Sequence, residues 1–163
     1  MRTFELPLLL VLAAACGGAT PPPETPATEA APVAEEKVVG PPEVKWADMQ
    51  PEQKGKFMHA VVMPHMKTLF QEYDGKTFAE FSCATCHGKD AKDKAFKMPN
   101  AEIFVLPSDE AGFAKLAAEK PGWMKFMGEK VKPEMAKLLA LPEFDPKNPQ
   151  PGTMGCYNCH THQ

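Results

Sequence analysis

Two short stretches of the chain share one arrangement of cysteine and histidine. "CATCH" covers residues 83–87 and "CYNCH" covers residues 156–160, so each reads C-x-x-C-H. Two residues between the cysteines set the thiols apart by the distance needed to bond both vinyl groups of one haem, and the adjoining histidine then falls under the iron. The motifs predict two c-type haems per chain, attached through Cys83, Cys86, Cys156 and Cys159, with His87 and His160 as proximal iron ligands.

Other chemistries of the same cysteines agree less well with the sequence. A zinc site could use all four thiols, but it would leave both adjoining histidines without a role. Thioredoxin-like chemistry of a C-x-x-C motif belongs to a βαβ pattern, and no such pattern is visible. The fifth cysteine, Cys16, lies near the N-terminus, so haem attachment leaves no pair of cysteines for a disulfide.

An internal repeat precedes the two motifs. Residues 54–70 and 123–139 align without a gap, and seven of the 17 positions are identical. The identical pairs include uncommon residues, namely Met58/Met127, Pro64/Pro133 and Met66/Met135. Similarity at a fixed spacing indicates duplicated structural units. We therefore predict two helix–loop–C-x-x-C-H units, at about residues 48–100 and 108–163.

The repeat also bears on the distal iron ligands. Only three residues follow His160, so we expect the distal ligand of the second haem to come from upstream. One predicted helix face carries Met58, Val62, Met66 and Leu69, and the second copy repeats this spacing with Met127, Val131, Met135 and Leu138. A flexible thioether on such a face can reach an iron, and a kink at the preceding proline would aim it. We predict Met66 and Met135 as the distal ligands.

Several alternatives for the distal ligand stay open. Met58 and Met127 occupy equivalent positions of the repeat, and the whole methionine stripe could serve only as core packing. Met98 follows the first motif in a Met-Pro pair, which resembles the ligand segment of single-haem class I cytochromes. Two upstream histidines could also ligate the first haem, although the repeat does not preserve them: His59 and His65. His162 is too close to His160 to reach round the ring.

The helix that carries methionine and precedes a C-x-x-C-H motif resembles the haem units of the multihaem cytochrome subunit of photosynthetic reaction centres. The resemblance rests on these two short motifs and covers each unit from its helix to its histidine. It implies the same unit architecture, with methionine as distal ligand. Only two units are present, so the photosynthetic role is not carried over.

The N-terminal region has the pattern of an export signal. Arg2 precedes an apolar run at residues 6–15, and "LAAAC" ends at Cys16. This pattern predicts a lipoprotein signal over residues 1–16, with Cys16 lipidated; an ordinary cleaved signal peptide is the alternative. Residues 17–43 are rich in Pro, Ala and Glu, which predicts a disordered linker. The haem domain is then expected at residues 44–163.

The secondary structure of that domain is predicted to be mostly α. Helical patterns cover residues 48–74, 109–120 and 123–141, with Asp48 and Ser108 as expected N-caps and Pro121-Gly122 as a break between the last two. Prolines make residues 142–155 an extended loop. The run "AEIFVLP" is too short to assign as a strand. We expect the haems to form much of the core, so the haem-free chain should fold poorly.

These features predict an electron carrier rather than an enzyme. Histidine and methionine together close the iron to substrates, which suits one-electron transfer. The expected partners are redox proteins in the periplasm or at the cell exterior, with a lipid anchor holding the chain to a bacterial membrane. The charge is nearly balanced, 18 Lys and Arg against 21 Asp and Glu, which argues against nucleic acid as a partner.

Two other functions remain open at this stage. A dihaem enzyme of the peroxidase or reductase type would need one open haem, and so would a haem-based gas sensor. The lysine-rich loop at residues 88–97 could dock an acidic redox partner, or it could be a solvated loop.

Overall fold

A computed structural model describes residues 37–163, and about half of them are helical. Six α-helices follow in chain order: α1 (Pro51–Phe57), α2 (Met63–Asp74), α3 (Cys83–His87), α4 (Glu110–Glu119), α5 (Pro121–Phe126) and α6 (Lys132–Leu138). Single 3₁₀ turns lie at Trp46–Asp48 and Cys156–Asn158. Because the described residues contain no β-strand, the predicted mostly-α class is confirmed.

A π-helical turn joins the two helices within each repeat copy. The first turn spans Met58–Val62, between α1 and α2, and the second spans Met127–Val131, between α5 and α6. Each turn closes with an i→i−5 hydrogen bond just before the proline: Met63 N–H donates to the Met58 carbonyl, and Lys132 N–H donates to the Met127 carbonyl. The predicted proline kink is therefore a π turn, which gives the ladder an extra residue where proline has no N–H.

Three predicted helix boundaries change in the structure. The first helix begins at Pro51 after Gln50, whose N–H donates to Oε1 of Gln53 at 2.8 Å, so Asp48 is not its N-cap. Asp109 caps α4 in place of Ser108, because its Oδ1 accepts from Gly112 N–H at 2.7 Å. The predicted break between the two helices falls at Lys120, and Pro121 begins α5, where its missing N–H costs nothing.

The core lies between the two repeat copies. The buried positions of the first copy are Phe57, Val62, Met66 and Phe70, and the second copy places Phe126, Val131, Met135 and Leu139 at the equivalent sites. The step of five residues from Phe57 to Val62 is the spacing of a π turn, so the π turn keeps this face continuous. The buried face differs from the predicted one at both ends. Phe57 and Phe70 are buried there in place of Met58 and Leu69, which are only partly buried.

The two copies pack reciprocally. Helix α2 contacts the second π turn, and α6 contacts the first. The ring centroids of Phe70 and Phe126 lie 5.1 Å apart, edge to face, and Tyr73 stacks on Phe126 at 4.1 Å. Each repeat copy thus buries its apolar face against the other rather than against a third layer.

The chain end is held by a short ribbon of backbone pairing. Residues 100–108 run parallel to residues 159–163, with isolated bridges between Asn100 and His160 and between Leu106 and His162. The N–H of Leu106 donates to the Thr161 carbonyl at 2.9 Å, and the N–H of Gln163 donates back to the Leu106 carbonyl at 3.1 Å. The apolar run "AEIFVLP" therefore supplies bridges, not a strand.

Packed structure begins inside the predicted linker. Gly40 is buried against the Phe57 ring, and Lys37 forms an ion pair with Glu43 at 3.2 Å. The predicted signal, the lipidated Cys16 and residues 17–36 of the linker lie outside the described residues. Within residues 37–163, no helix is long and apolar enough to cross a membrane.

Candidate functional site

The two C-x-x-C-H motifs are built in the same way. The N–H of Ser82, just before the first motif, donates to Oγ1 of Thr85 at 3.0 Å. The N–H of Gly155, just before the second, donates to Oδ1 of Asn158 at 2.7 Å. In both cases the side chain three residues further along the chain accepts this hydrogen bond and so stabilises the first helical turn of the motif. The duplication therefore extends to the backbone of the motifs, where sequence identity is confined to Cys and His.

The two cysteines of each motif lie in different environments. Cys83 and Cys156 are exposed, whereas Cys86 and Cys159 are partly buried against the hydrophobic core. Burial, with a smaller contribution from Cys159 and Cys83, raises the pKa of the Cys86 thiol to about 12. Burial and Cys156 raise the pKa of Cys159 to about 11. Both inner cysteines pack against the same hydrophobic core.

The two motif histidines differ in their hydrogen bonds. Nδ1 of His160 lies 2.7 Å from the Phe104 carbonyl, so this nitrogen carries the proton and Nε2 is free to bind a metal. Nδ1 of His87 is buried and makes no hydrogen bond of normal geometry. Burial lowers the pKa of His87, and the Phe96 carbonyl opposes this effect. The ring of Phe96 meets the His87 ring edge-on at 5.5 Å.

The residues present fit a c-type haem at each motif. Each motif offers two free thiols and one neutral imidazole, and the inner thiol adjoins an apolar core. Haem ligation needs a single protein histidine on the proximal side. A four-cysteine zinc site would need a convergence of thiols, and no three His, Cys, Asp or Glu side chains in the described part of the chain form such a group.

The structure separates the candidate distal ligands by burial. Met66 is 3% exposed and belongs to the core that Cys86 and Cys159 also contact. Its counterpart Met135 is partly buried against the same core, as are the rivals Met58 and Met127. Met98 is partly buried in a bend before Asn100. The three histidine alternatives are exposed: His59, His65 and His162.

Sequence reasoning missed one residue at this site. Asn100 is 5% exposed and lies between the two motifs. Its side-chain amide donates to the His87 carbonyl, and its backbone N–H donates to the Cys159 carbonyl at 3.1 Å. No sequence pattern marks this asparagine, because its partners lie 13 and 59 residues away.

The loop after the first motif is partly neutralised. Lys94 contacts Asp90 at 3.4 Å and Glu102 at 3.0 Å. The other lysines of the loop are exposed, and so is Phe96, at 44%. Two open surface clefts of about 300 and 440 Å³ lie elsewhere, beside Leu116 and beside Tyr73, and no motif residue lines them.

Comparison with family models, curated proteins and solved structures found no match to this chain.

Proposed function

We propose that this chain is an exported, lipid-anchored dihaem c-type cytochrome that carries single electrons between redox proteins of the periplasm or cell exterior. The proposal is supported above all by the contact of both motifs with one hydrophobic core. The inner cysteines Cys86 and Cys159 adjoin the same apolar cluster that holds Met66 and Met135. Each motif thus has a helix-borne methionine from its own repeat copy in a common interior.

The covalent and proximal roles fall to the motif residues. Cys83 and Cys86 would bond one haem and Cys156 and Cys159 the other. The Phe104 carbonyl holds the tautomer of His160 that presents Nε2, as carbonyl partners commonly do for ligating histidines. A haem bound at such a site supplies an iron that gains or loses one electron without making or breaking other bonds.

The distal roles fall to Met66 and Met135. A methionine ligand occupies the sixth position and so excludes water and substrates from the iron, and it raises the reduction potential relative to a second histidine. Their surroundings are apolar, which limits the solvent that reaches the centre. A closed, apolar centre suits a carrier, because a peroxidase-type enzyme or a gas sensor needs an open position.

The proposed partners follow from the exposed lysines after the first motif and from the predicted lipid anchor at Cys16. The exposed lysines Lys89, Lys92 and Lys97 lie in the loop that follows the first motif, without an ion pair among the contacts described, and they could steer an acidic redox partner at low salt. Lipid at Cys16 would hold the domain close to a membrane.

The test is the visible spectrum of the reduced full-length protein before and after carbon monoxide is added, together with the mass of the intact chain. We expect a mass increase of two haems and sharp c-type bands that carbon monoxide leaves unchanged. A carbon-monoxide shift at one haem would favour the enzyme or sensor function. A chain that carries no covalent haem when made in a host with haem-attachment machinery would overturn the proposal.

A further inference from the structure

Asn100 makes three hydrogen bonds, and two of them reach the two motifs. Its side-chain N–H₂ donates to the His87 carbonyl, and its Oδ1 accepts from the Glu102 N–H at 2.8 Å. Its backbone N–H donates to the Cys159 carbonyl at 3.1 Å, next to the bridge with His160. One residue therefore holds the C-terminal ends of both motifs.

Because Asn100 is buried, its hydrogen bonds are costly to lose. Asn100 is 5% exposed, and no other polar or charged side chain of residues 37–163 is buried to this degree. A buried amide has to keep its hydrogen bonds, because an unpaired donor or acceptor away from water is costly. The side-chain amide is thus held by the His87 carbonyl and the Glu102 N–H, while the backbone N–H of the same residue bonds the second motif.

Gly88 makes room for the asparagine. It directly follows His87 and has a φ of +77°, a conformation that favours glycine. A Cβ at this position would lie 2.4 Å from Cβ of Glu102 and 3.0 Å from Nδ2 of Asn100. A side chain there would displace the segment that makes the link.

The linked ends belong to equivalent places in the two repeat copies. Cys86 and Cys159 are the inner cysteines of their motifs, and each adjoins the shared core. His87 and His160 follow them directly. Groups fixed this close interact electrostatically, so a change of charge at one motif is felt at the other.

We propose that Asn100 is a positioning residue that fixes the separation of the two haem motifs and so sets how strongly each iron affects the reduction of the other. The inference rests on the proposed function and goes beyond it, because it assigns the coupling of the two centres to one residue. Loss of the amide's hydrogen bond to the His87 carbonyl frees the first motif from Asn100, whose backbone N–H stays bonded to the Cys159 carbonyl. The motif ends then move apart and the mutual effect weakens.

The test uses the full-length, haem-loaded protein with Asn100→Ala and, as a matched control, Asn148→Ala at an exposed asparagine. Potentiometric titration gives the separation of the two midpoint potentials, and electron paramagnetic resonance of the oxidised protein reports the magnetic interaction of the irons. We expect Asn100→Ala to change the ratio of the two one-electron equilibrium constants about tenfold, equal to about 59 mV in the separation. The magnetic interaction should weaken in the same variant, and the control should show neither change.

A second pair of variants displaces Asn100 without altering it. Gly88→Ala should shift the separation in the same direction as Asn100→Ala. Its control is Gly152→Ala, at an exposed glycine with a φ of +76° and no atom within 4 Å of the added Cβ. If Asn100→Ala does not fold, the comparison of Gly88→Ala with Gly152→Ala tests the proposal.

The outcomes keep the two proposals apart. Two covalent haems with a separation and magnetic interaction unchanged in both Asn100→Ala and Gly88→Ala would overturn the role of Asn100 and leave the proposed function standing. Absence of covalent haem in the unmodified chain would overturn the function itself.

Discussion

His65 and Glu134 occupy the same position in the two repeat copies, and in the fold their side chains meet, with Nε2 of His65 3.0 Å from Oε2 of Glu134. Equivalent positions contact each other when two copies pack about a local two-fold axis, as in an isologous dimer. Helix α2 contacts the second π turn and α6 contacts the first, so equivalent parts of the copies also pack reciprocally. The two repeat copies are therefore arranged as a symmetric pair.

The first prediction concerns the His65–Glu134 contact itself. His65 and Glu134 side chains are 44% and 30% exposed, so we expect a coupling energy of about 0.3–1 kcal/mol in a double-mutant cycle with alanine. Urea unfolding of the haem-loaded protein at two salt concentrations measures it, and high salt should reduce the coupling.

The control pair for that cycle lies within one helical segment. Lys125 and Glu129 are 4.0 Å apart on the second copy and do not cross between the copies. A coupling energy of zero for His65–Glu134 alongside a measurable one for the control would contradict the packing of the repeat copies at this position.

The second prediction separates iron ligation from packing at the methionines. Leucine conserves most of the volume of methionine but has no sulfur, so Met66→Leu and Met135→Leu should cost less than about 1.5 kcal/mol in unfolding free energy. Each should open one iron, so that carbon monoxide shifts the spectrum of that haem. Met58→Leu and Met127→Leu are the controls and should leave both irons closed. The reverse result would assign ligation to Met58 and Met127, and an effect of Met98→Leu would assign the first haem to Met98.

The third prediction concerns the π turns. Pro64→Ala restores an N–H that can donate to the Ala60 carbonyl and so favours a regular α-helix across the π turn. Removing the extra residue of the turn rotates the following helix by about 100°, which carries Met66 off the buried face. We expect the methionine-to-iron charge-transfer band of the first haem to weaken, measured by near-infrared absorption.

Pro51→Ala is the matched control for the π-turn prediction. Pro51 lies at the first position of α1, where its N–H has no helical partner. This variant should keep the band at full strength. A full-strength band in Pro64→Ala as well would mean that the π turn does not set the position of Met66.

The fourth prediction follows from the unequal histidines. The Phe104 carbonyl accepts a hydrogen bond from Nδ1 of His160, which makes this imidazole the more basic ligand, whereas Nδ1 of His87 makes no hydrogen bond of normal geometry and burial lowers the pKa of its ring. A more basic ligand stabilises the ferric state, so the second haem should have the lower midpoint potential. Redox titration of two single-haem variants, with Cys83 and Cys86 or Cys156 and Cys159 replaced by alanine, checks the order. Equal potentials, or a higher potential at His160, would contradict it.

The fifth prediction concerns the haem-free chain, which we expect to fold poorly if, as proposed, the haems add much to its core. In an unfolded chain the four motif thiols have ordinary pKa values and should react alike with iodoacetamide at pH 9. A chain that kept the structure would instead hold Cys86 and Cys159 protonated, since burial raises their pKa values to about 12 and about 11.

The free energy of unfolding of a folded haem-free chain would change with pH in a defined direction. In a folded haem-free chain, Cys86 and Cys159 would bind more protons than in the unfolded chain above the ordinary pKa of 9.0. The free energy of unfolding would then fall as pH rises from about 9 toward 12. Selective protection of these two thiols, read by mass spectrometry, together with that fall would contradict the expectation of a poorly folded chain.

Much of the helical framework follows from local sequence. The apolar period predicts the helices of both repeat copies, and Pro51 and the acidic first turn of α4 mark where two of them begin. The caps were less predictable, because Ser108 and Asp109 are both good N-cap residues and only the backbone path decides which side chain reaches Gly112. The π turns were not predicted, because a proline within a helical pattern is equally consistent with a simple kink and with a π turn.

The sequence by itself predicted the haem chemistry and showed the duplication. The motif residues Cys83, Cys86, His87 and their counterparts indicate haem through residue type and spacing along a few bonds, and the aligned copies at residues 54–70 and 123–139 indicate two similar units. These are local or comparative properties, so they need no knowledge of the fold.

Only the tertiary structure decided how the units meet. The pairing of His65 with Glu134 and the link through Asn100 join residues that are far apart in the chain. Such contacts depend on how two apolar faces bury each other, and burial is governed by shape and area rather than by sequence spacing. The burial of Met66 at 3%, beside partly exposed Met58, was settled by the same packing.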